Sequence, residues 1–377
     1  MKVLFICHSY LKGNNGGIYA SKAYINAFAE LSDEMTLLYP YKKGMEPEDI
    51  MDEKITMIPV EDTRSKIKKY LDLIRGHVHR YQGYAINFIL PDKYDTVVFD
   101  NSVESSGLIK KFKRAGIRTI TIHHNYQVEF LKGDMQLYLL IPSLFWTLKY
   151  EKEAVVFSDV NITLTQQDVE LFRKNYCKDA RFLVGGVFEY LAHCNRITEN
   201  KFRGHSYIIT GWLASKQTEE SLIPWIHNYY PILKKVDPLA QLTIAGKDPS
   251  NRLAQLCETN CINLVASPPS MQPLLDKSDY YICPTNRGGG LKLRNMDGLR
   301  SGLIVLTHSV SARGYEQMVE SGCMYVYSDY ASFETELIKM LNSHLGRQEV
   351  MSSYITHFSF HAGVDRLKQL ESLKTGE

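Results

Sequence analysis

Short apolar runs, each followed by glycine or polar residues and then by a helical segment, recur along this chain and restrict its fold more than any other feature. In the first half these runs cover residues 3–6, 35–39, 96–99, 119–122 and 160–164. The run over residues 3–6 is continuously apolar, which is typical of a parallel strand that is buried on both faces. Strands that alternate with helices predict a parallel sheet covered by helices on both sides.

A second series of the same kind follows a polar stretch around residues 185–205. Its runs cover residues 207–210, 241–245, 262–265, 280–283, 304–307 and 324–327. Because 377 residues exceed the usual size of one domain, we expect an α/β protein with two Rossmann-like, doubly wound parallel-sheet domains that face a cleft. The expected boundaries are 1–190 for the N-terminal domain and 191–355 for the C-terminal domain. A helix over 356–377 is expected to pack back on the N-terminal domain.

The composition excludes several classes of protein. Hydrophobic residues make up 44% and charged residues 23%, which is ordinary for a globular chain and not for a disordered one. Lys and Arg number 44 against 42 Asp and Glu, a balance that argues against a nucleic-acid partner. Seven scattered cysteines favour a reduced, cytoplasmic chain. No apolar segment approaches the roughly 18 residues of a membrane-spanning helix.

The segment over residues 284–307 carries the densest group of signals for ligand binding. Three glycines, Gly288, Gly289 and Gly290, follow a predicted strand and allow the backbone to approach a ligand closely. Lys292 and Arg294 follow them at the predicted start of a helix, where backbone N–H groups can bind an anion. The residues alone leave two interpretations open, a phosphate site or a tight turn with a solvated basic face.

The same segment resembles the donor-binding motif of GT-B glycosyltransferases, and specifically retaining family 4. Many bacterial members read G-G-G-x-R-x-K-x-x-E-A-x-A-x-G, and this chain matches without a gap, with Lys292 for Arg, Arg294 for Lys and Asp297 for Glu. The resemblance implies that Lys292 and Arg294 stabilise the departing diphosphate. It implies that Asp297 binds the ribose of the nucleotide and that Leu291 and the three glycines contact the donor.

Three further parts of the family pattern are matched in the same order along the chain, and a fourth is displaced by one residue. Gly16 and Gly17 resemble the loop that meets the donor phosphates and the acceptor. His124, directly before Asn125, resembles the His of the family's H-N-x-E stretch, which lies against the donor sugar. Gly211 matches the glycine of its F-x-G strand end, and Lys216 lies one residue short of the usual donor-binding Lys. The resemblance therefore implies a donor site with His124, Lys292 and Arg294 as its catalytic residues.

The resemblance implies a retaining transferase that moves a sugar, expected to be a hexose, from a UDP- or GDP-linked donor to a glycan or lipid-linked saccharide. The nucleotide sugar is a substrate, so no cofactor is expected, and the absence of a D-x-D motif implies no metal. The sequence departs from the pattern at three positions. Asp297 replaces Glu, Gly289 stands where many members carry the first of two acidic residues, and Trp212 stands where Arg is common. They leave a non-catalytic GT-B partner subunit as an alternative, and an epimerase of nucleotide sugars is a third hypothesis.

Two segments bear on the acceptor. Residues 64–80 carry six Lys or Arg and one acid, with apolar residues at helical spacing, which predicts a basic amphipathic helix. Such a helix can lie on an anionic membrane, as a peripheral enzyme at the inner face would, or pack as an ordinary surface helix. Residues 137–148 are apolar and aromatic; the favoured interpretation is protein core, and the alternative is an acceptor groove.

Overall fold

The computed structural model of the protein describes residues 1–13, 15–51, 53–76, 81, 84, 86–89, 93–128, 131, 137–192, 204–287 and 291–372. The chain divides into two compact units. The first comprises Met1–His193 and Phe360–Glu377, and the second comprises Cys194–Ser359. The chain therefore leaves the first unit, builds the second, and returns.

The first unit contains seven parallel strands in the order β3-β2-β1-β4-β5-β6-β7. They are β1 (Lys2–Ile6), β2 (Glu34–Tyr41), β3 (Ile55–Glu61), β4 (Thr96–Asp100), β5 (Arg118–His123), β6 (Val160–Thr163) and β7 (Phe182–Val184). The helices of this part are α1 (Gly16–Leu31), α2 (Lys66–Ile74), α3 (Ser102–Ser105), α4 (Ile109–Arg114), α5 (Leu137–Phe157) and α6 (Gln166–Asn175), with a 3-10 turn at Ile86–Phe88. Strand β1 is fully buried from Val3 to Ile6, as its apolar run predicts.

The second unit contains six parallel strands in the order β10-β9-β8-β11-β12-β13. They are β8 (Ser206–Trp212), β9 (Gln241–Lys247), β10 (Asn263–Ala266), β11 (Tyr280–Cys283), β12 (Ile304–His308) and β13 (Met324–Tyr327). The helices of this unit are α7 (Lys216–Asn228), α8 (Tyr230–Val236), α9 (Asn251–Thr259), α10 (Gln272–Lys277), α11 (Arg294–Arg300), α12 (Glu316–Glu320), α13 (Tyr330–Leu341) and α14 (Arg347–Phe358). The final helix, α15 (Phe360–Ser372), belongs to the first unit.

The two parallel sheets with helices between their strands confirm the predicted α/β class and the doubly wound architecture of each domain. Two strands were not predicted. Strand β3 contains Pro59 and has exposed positions, both permitted because it lies at the edge of its sheet. Strand β7 is only three residues long and lies at the opposite edge.

The order of the strands fixes one position in each sheet where a ligand is expected to bind. In the first sheet the direction of winding reverses between β1 and β4, and in the second between β8 and β11. Open α/β sheets bind ligands outside the carboxyl ends of the strands at such switch points. Within the described residues, no helix is long and apolar enough to cross a membrane.

Candidate functional site

Arg294 lies at the switch point of the second sheet and is held in place by residues from two other segments. Its guanidinium donates to the hydroxyl of Thr218 at 2.6 Å, and it lies 3.4 Å from the hydroxyl of Thr285, which follows β11. It also lies against the backbone at the end of β8, where a Cβ atom on Gly211 would be 2.6 Å from the Arg294 Cζ. Gly211 is therefore needed because any side chain there would displace Arg294, and the structure brings these two predicted residues together.

Lys292 is the second cation of this site and is mostly removed from water. Burial, together with the positive charges of Arg294 and Arg313, lowers the pKa of Lys292 from 10.5 to about 8. Three cations close enough to repel one another are stabilised by an anion, and a diphosphate carries the charge to do so. Arg313 was not among the predicted residues, because its place near Lys292 depends on the fold and not on the local sequence.

The remaining predicted donor residues differ in their surroundings. Asp297, in the first turn of α11, accepts a hydrogen bond from Arg300 at 2.6 Å and is partly exposed. Lys216 begins α7, where its exposed ammonium group pairs with Glu220 of the same helix at 3.9 Å. Leu291 is half-buried, directly before Lys292. Gly288, Gly289 and Gly290 lie outside the described residues.

His124 lies just beyond β5 in the first sheet and is held by Asp100 at the end of β4. The two side chains are 2.5 Å apart, and the Asp100 carboxylate also accepts from the Ser21 hydroxyl at 2.7 Å and the His8 backbone N–H at 3.1 Å. Burial opposes ionisation of Asp100, but the charge of His124 and these hydrogen bonds outweigh it and lower its pKa from 3.8 to about 2. Because Asp100 is ionised, it fixes the orientation of the His124 ring.

A second histidine–carboxylate pair, which the sequence did not reveal, lies beside the first. His8 Nδ1 is 2.8 Å from an oxygen of Glu104, and Glu104 is almost completely buried while His8 is partly exposed. Between the pairs, Asn101 has a φ of 98°, an uncommon backbone conformation that is enriched at functional sites. The place of His8 two residues beyond a predicted strand was the available signal, but its partner is 96 positions away.

Gly16 and Gly17 form the exposed first turn of α1, a helix of 16 residues capped by the side chain of Asn15. A Cβ atom on Gly16 would meet nothing within 4 Å, so the space outside this helix end is open. His123, the neighbour of His124, has a structural role instead. It is buried against Phe172 and bonded to Asn161, and burial lowers its pKa from 6.5 to about 4.

The comparisons with known proteins give one sequence relative and a set of structural relatives. The chain is 23% identical over 282 residues to an uncharacterized 44.6 kDa protein in the cps region of Klebsiella pneumoniae, with 69% of each chain covered. No protein-family model matches the sequence.

Two of the solved structures that resemble the chain match it over nearly its whole length. The lipopolysaccharide outer core galactosyltransferase WaaB matches with a TM-score of 0.65 and 10% identity over 99% of this chain and 100% of that one. The pneumococcal O-GlcNAc transferase GtfA, in complex with UDP and GlcNAc, matches with a TM-score of 0.60 and 11% identity over 100% and 99%. The chain therefore has the GT-B fold of these glycosyltransferases.

Proposed function

We propose that this protein is a retaining glycosyltransferase that moves a sugar, a hexose, from a UDP- or GDP-linked donor to a glycan or lipid-linked saccharide. The observation that carries the proposal is the group of Lys292, Arg294 and Arg313 at the switch point of the second sheet. Burial, together with the charges of Arg294 and Arg313, lowers the pKa of Lys292 to about 8, and a diphosphate beside these cations would gain strong electrostatic stabilisation.

The comparisons support the same activity at a coarser level. Both structural relatives are named as transferases of sugars, and GtfA holds UDP and GlcNAc. The sequence relative is named for a cps region, which is in keeping with a role in polysaccharide biosynthesis. UDP is therefore the first donor nucleotide to test.

The proposed reaction breaks the bond between the sugar C1 and the diphosphate oxygen and forms a bond from C1 to the acceptor oxygen on the same face. Lys292 and Arg294 stabilise the charge that develops on the leaving diphosphate. The departing phosphate accepts the proton of the acceptor hydroxyl, so the step requires no enzyme nucleophile. Asp297 is assigned to the ribose, with Gly211 keeping Arg294 in place.

His124 is assigned to the donor sugar. Its Nε2 faces the ionised carboxylate of Asp100, so the proton of a neutral ring is held on that nitrogen. The other nitrogen, Nδ1, can then bond to a sugar hydroxyl, as an acceptor when the ring is neutral and as a donor when it is protonated. This arrangement orients the sugar through a hydrogen bond and does not require His124 to take a proton from the substrate.

The His8–Glu104 pair favours one alternative mechanism, in which an enzyme base activates the acceptor. A partly exposed histidine bonded to a buried carboxylate has the arrangement of a general base. Attack assisted by His8 on the opposite face of the sugar would invert the configuration at C1. The anomeric configuration of the product, measured by NMR, distinguishes the two: retention supports the proposal, and inversion supports an enzyme base, for which His8 is the candidate.

The test of the proposal is isothermal calorimetry of the full chain with UDP, GDP and their sugars, using Arg294→Gln. Hydrogen bonds to charged groups contribute about 1.5–3 kcal/mol, so we expect nucleotide affinity to fall at least roughly tenfold. Gln occupies similar space beside Gly211 and limits the effect on folding. The matched control is Lys339→Gln, an exposed cation on α13 that pairs with Glu336.

Three outcomes would contradict the proposal. No binding of any nucleotide by the wild-type chain would favour the non-catalytic partner subunit. Equal affinity of the Arg294→Gln and wild-type proteins would remove Arg294 from the donor site. Conversion of a nucleotide sugar to its epimer without an acceptor would favour the epimerase.

A further inference from the structure

Helix α2 exposes every apolar side chain of one of its faces. Ile67, Tyr70, Leu71 and Ile74 are spaced to lie on one side of the helix, and all four are exposed, Ile67 by 75%. The helix has no buried residue at all. An ordinary surface helix packs such a face on the protein, so this face lacks the contact that its sequence is built to make.

Helix α5 has the same property in a more pronounced form. Ile141, Phe145 and Leu148 point outward, with 65% and 62% of the first two exposed, whereas the polar Ser143 and Thr147 are buried. The predicted core role of residues 137–148 is therefore wrong for these three side chains. This part of α5, which buries two polar residues and exposes three apolar ones, contradicts the usual pattern for contact with water.

The two exposed faces belong to one surface, because the end of α2 is fastened to α5. Trp146 Nε1 donates to the carbonyl of Ile74 at 3.3 Å, and the Tyr150 hydroxyl donates to that of Gly76 at 2.6 Å. Gly76 has a φ of 80° and lies so close to the Trp146 ring that a Cβ atom would be 2.7 Å from it. Phe145 packs edge-on against the same ring. We call the exposed apolar residues of both helices the apolar face.

Cations border the apolar face, and most of them have no carboxylate partner. Among the residues that the structure describes, Lys66, Lys68, Arg75 and Lys149 form no ion pair. The one acid of α2, Asp72, is mostly buried and is already bound by Arg64 at 3.1 Å. The border of the apolar face is thus strongly positive.

We propose that the apolar face docks on the surface of an anionic lipid bilayer. Helices that lie in a membrane interface combine apolar and aromatic residues on one side with Lys and Arg beside them, and each basic residue near an anionic surface contributes about 1 kcal/mol. Protein interfaces are instead depleted in Lys, so the lysines that border this face favour lipid headgroups over a second protein. Arrival at the bilayer would bring the first unit to lipid-linked molecules.

The test is cosedimentation of the full chain with vesicles of phosphatidylcholine, alone or with roughly one quarter phosphatidylglycerol as the anionic lipid. The double variant Ile67→Ser/Phe145→Ser removes one large apolar side chain from each helix, and both positions are exposed enough that folding is preserved. We expect at least a tenfold loss of binding to the anionic vesicles, because each apolar side chain withdrawn from water contributes strongly. The matched control, Leu239→Ser/Val319→Ser, changes two exposed apolar residues of the second unit and is expected to bind as wild type does.

A second comparison tests the charge. Lys66→Gln/Lys68→Gln is expected to weaken binding to the anionic vesicles at least fivefold, and added salt is expected to weaken the wild type similarly, whereas Lys235→Gln on α8 should have no effect. Failure of the wild type to prefer anionic vesicles, or equal binding by the apolar double variant, would overturn the proposal. So would a wild-type dimer in sedimentation velocity that the double variant abolishes, since the face would then bind a second copy. The assay contains no nucleotide, so its outcome is separate from that of the proposed transferase.

Discussion

Lys292 is expected to change its charge when the proposed donor site is occupied. In the free protein its pKa is about 8, because burial and the neighbouring arginines oppose its charge. A diphosphate binds the ammonium form, so we expect nucleotide affinity to fall as the pH rises through about 8. Lys292→Arg should keep its affinity over the same range, because a guanidinium stays charged to about pH 12.

Calorimetry of UDP binding between about pH 7 and about pH 9.5 measures this difference, and both proteins are compared in the same buffers. The terminal phosphate of the nucleotide, with a pKa near 6, is already ionised across this range, so it adds no slope of its own. Parallel pH profiles for the wild type and Lys292→Arg would show that the charge of Lys292 does not contribute to binding.

At the scale of residues, the sequence identified residues that belong to a local motif, but it did not identify the distant residues that pair with them. Arg294 and Gly211 were both expected at the donor site, and the structure places one against the other. The Asp100–His124 pair was half-predicted, because the histidine belongs to a motif and its carboxylate does not. The pairing of His8 with Glu104 carries no local signal, since it forms only when β1 and β4 become neighbours in the sheet.

At the scale of elements, α5 contains a carboxyl group whose ionisation opposes folding. Glu151 is buried, and burial raises its pKa from 4.5 to about 7 despite hydrogen bonds from the Gln127 backbone at 2.9 Å and the Tyr176 hydroxyl at 2.7 Å. The unfolded chain releases this proton near pH 4.5 and the folded chain near pH 7. The free energy of unfolding therefore loses a contribution as the pH rises from about 4.5 to about 7.

Glu151→Gln is expected to remove this loss, because the amide is neutral at every pH and can still bond to both partners. The stability difference between about pH 4.5 and about pH 8 should shrink by roughly 3 kcal/mol relative to the wild type. Thermal unfolding at the two pH values measures it. Glu153→Gln, two residues along the same helix in a partly exposed pair with Lys110, is the control. A pH dependence that Glu151→Gln leaves unchanged would contradict this account of Glu151.

The orientation of α5 could not be predicted from its composition. The apolar residues at 137–148 are suited both to a protein core, which was the favoured interpretation, and to a surface that binds an apolar partner. The sequence alone does not distinguish the two. Strands β3 and β7 were not predicted for a related reason. They lie at the edges of their sheet, where a strand needs fewer apolar residues than a central strand does. The central strands were predicted correctly because burial on both faces requires mostly apolar residues along the strand.

At the scale of the whole molecule, the alternation of strands and helices was sufficient to predict two doubly wound sheets, because the connections between parallel strands have few permitted arrangements. A return of the chain to the first unit through a C-terminal helix was expected, but the contacts that hold it there were not. The return rests on α15, where Arg366 donates to the carbonyl of Gly185 at 2.9 Å and Leu370 accepts from Arg118 at 2.8 Å. Each of these bonds joins residues more than 180 positions apart, so no local pattern encodes it.

The contact of α15 with the first unit gives a prediction about stability that is separate from ligand binding. Gly363 lies so close to the Phe188 ring that a methyl group in its place would overlap the ring. We expect Gly363→Ala to destabilise the first unit by roughly 1–3 kcal/mol through overpacking, even though alanine favours a helix. Calorimetric unfolding of the full chain measures the effect, with Gln369→Ala on an exposed position of α15 as the control.

Because Lys292 and Arg294 belong to the second unit, nucleotide affinity at a temperature where both variants are folded should equal that of the wild type. A Gly363→Ala protein as stable as the wild type would show that Phe188 can move away from α15, and the close packing of this contact would then contribute little to holding the returning chain.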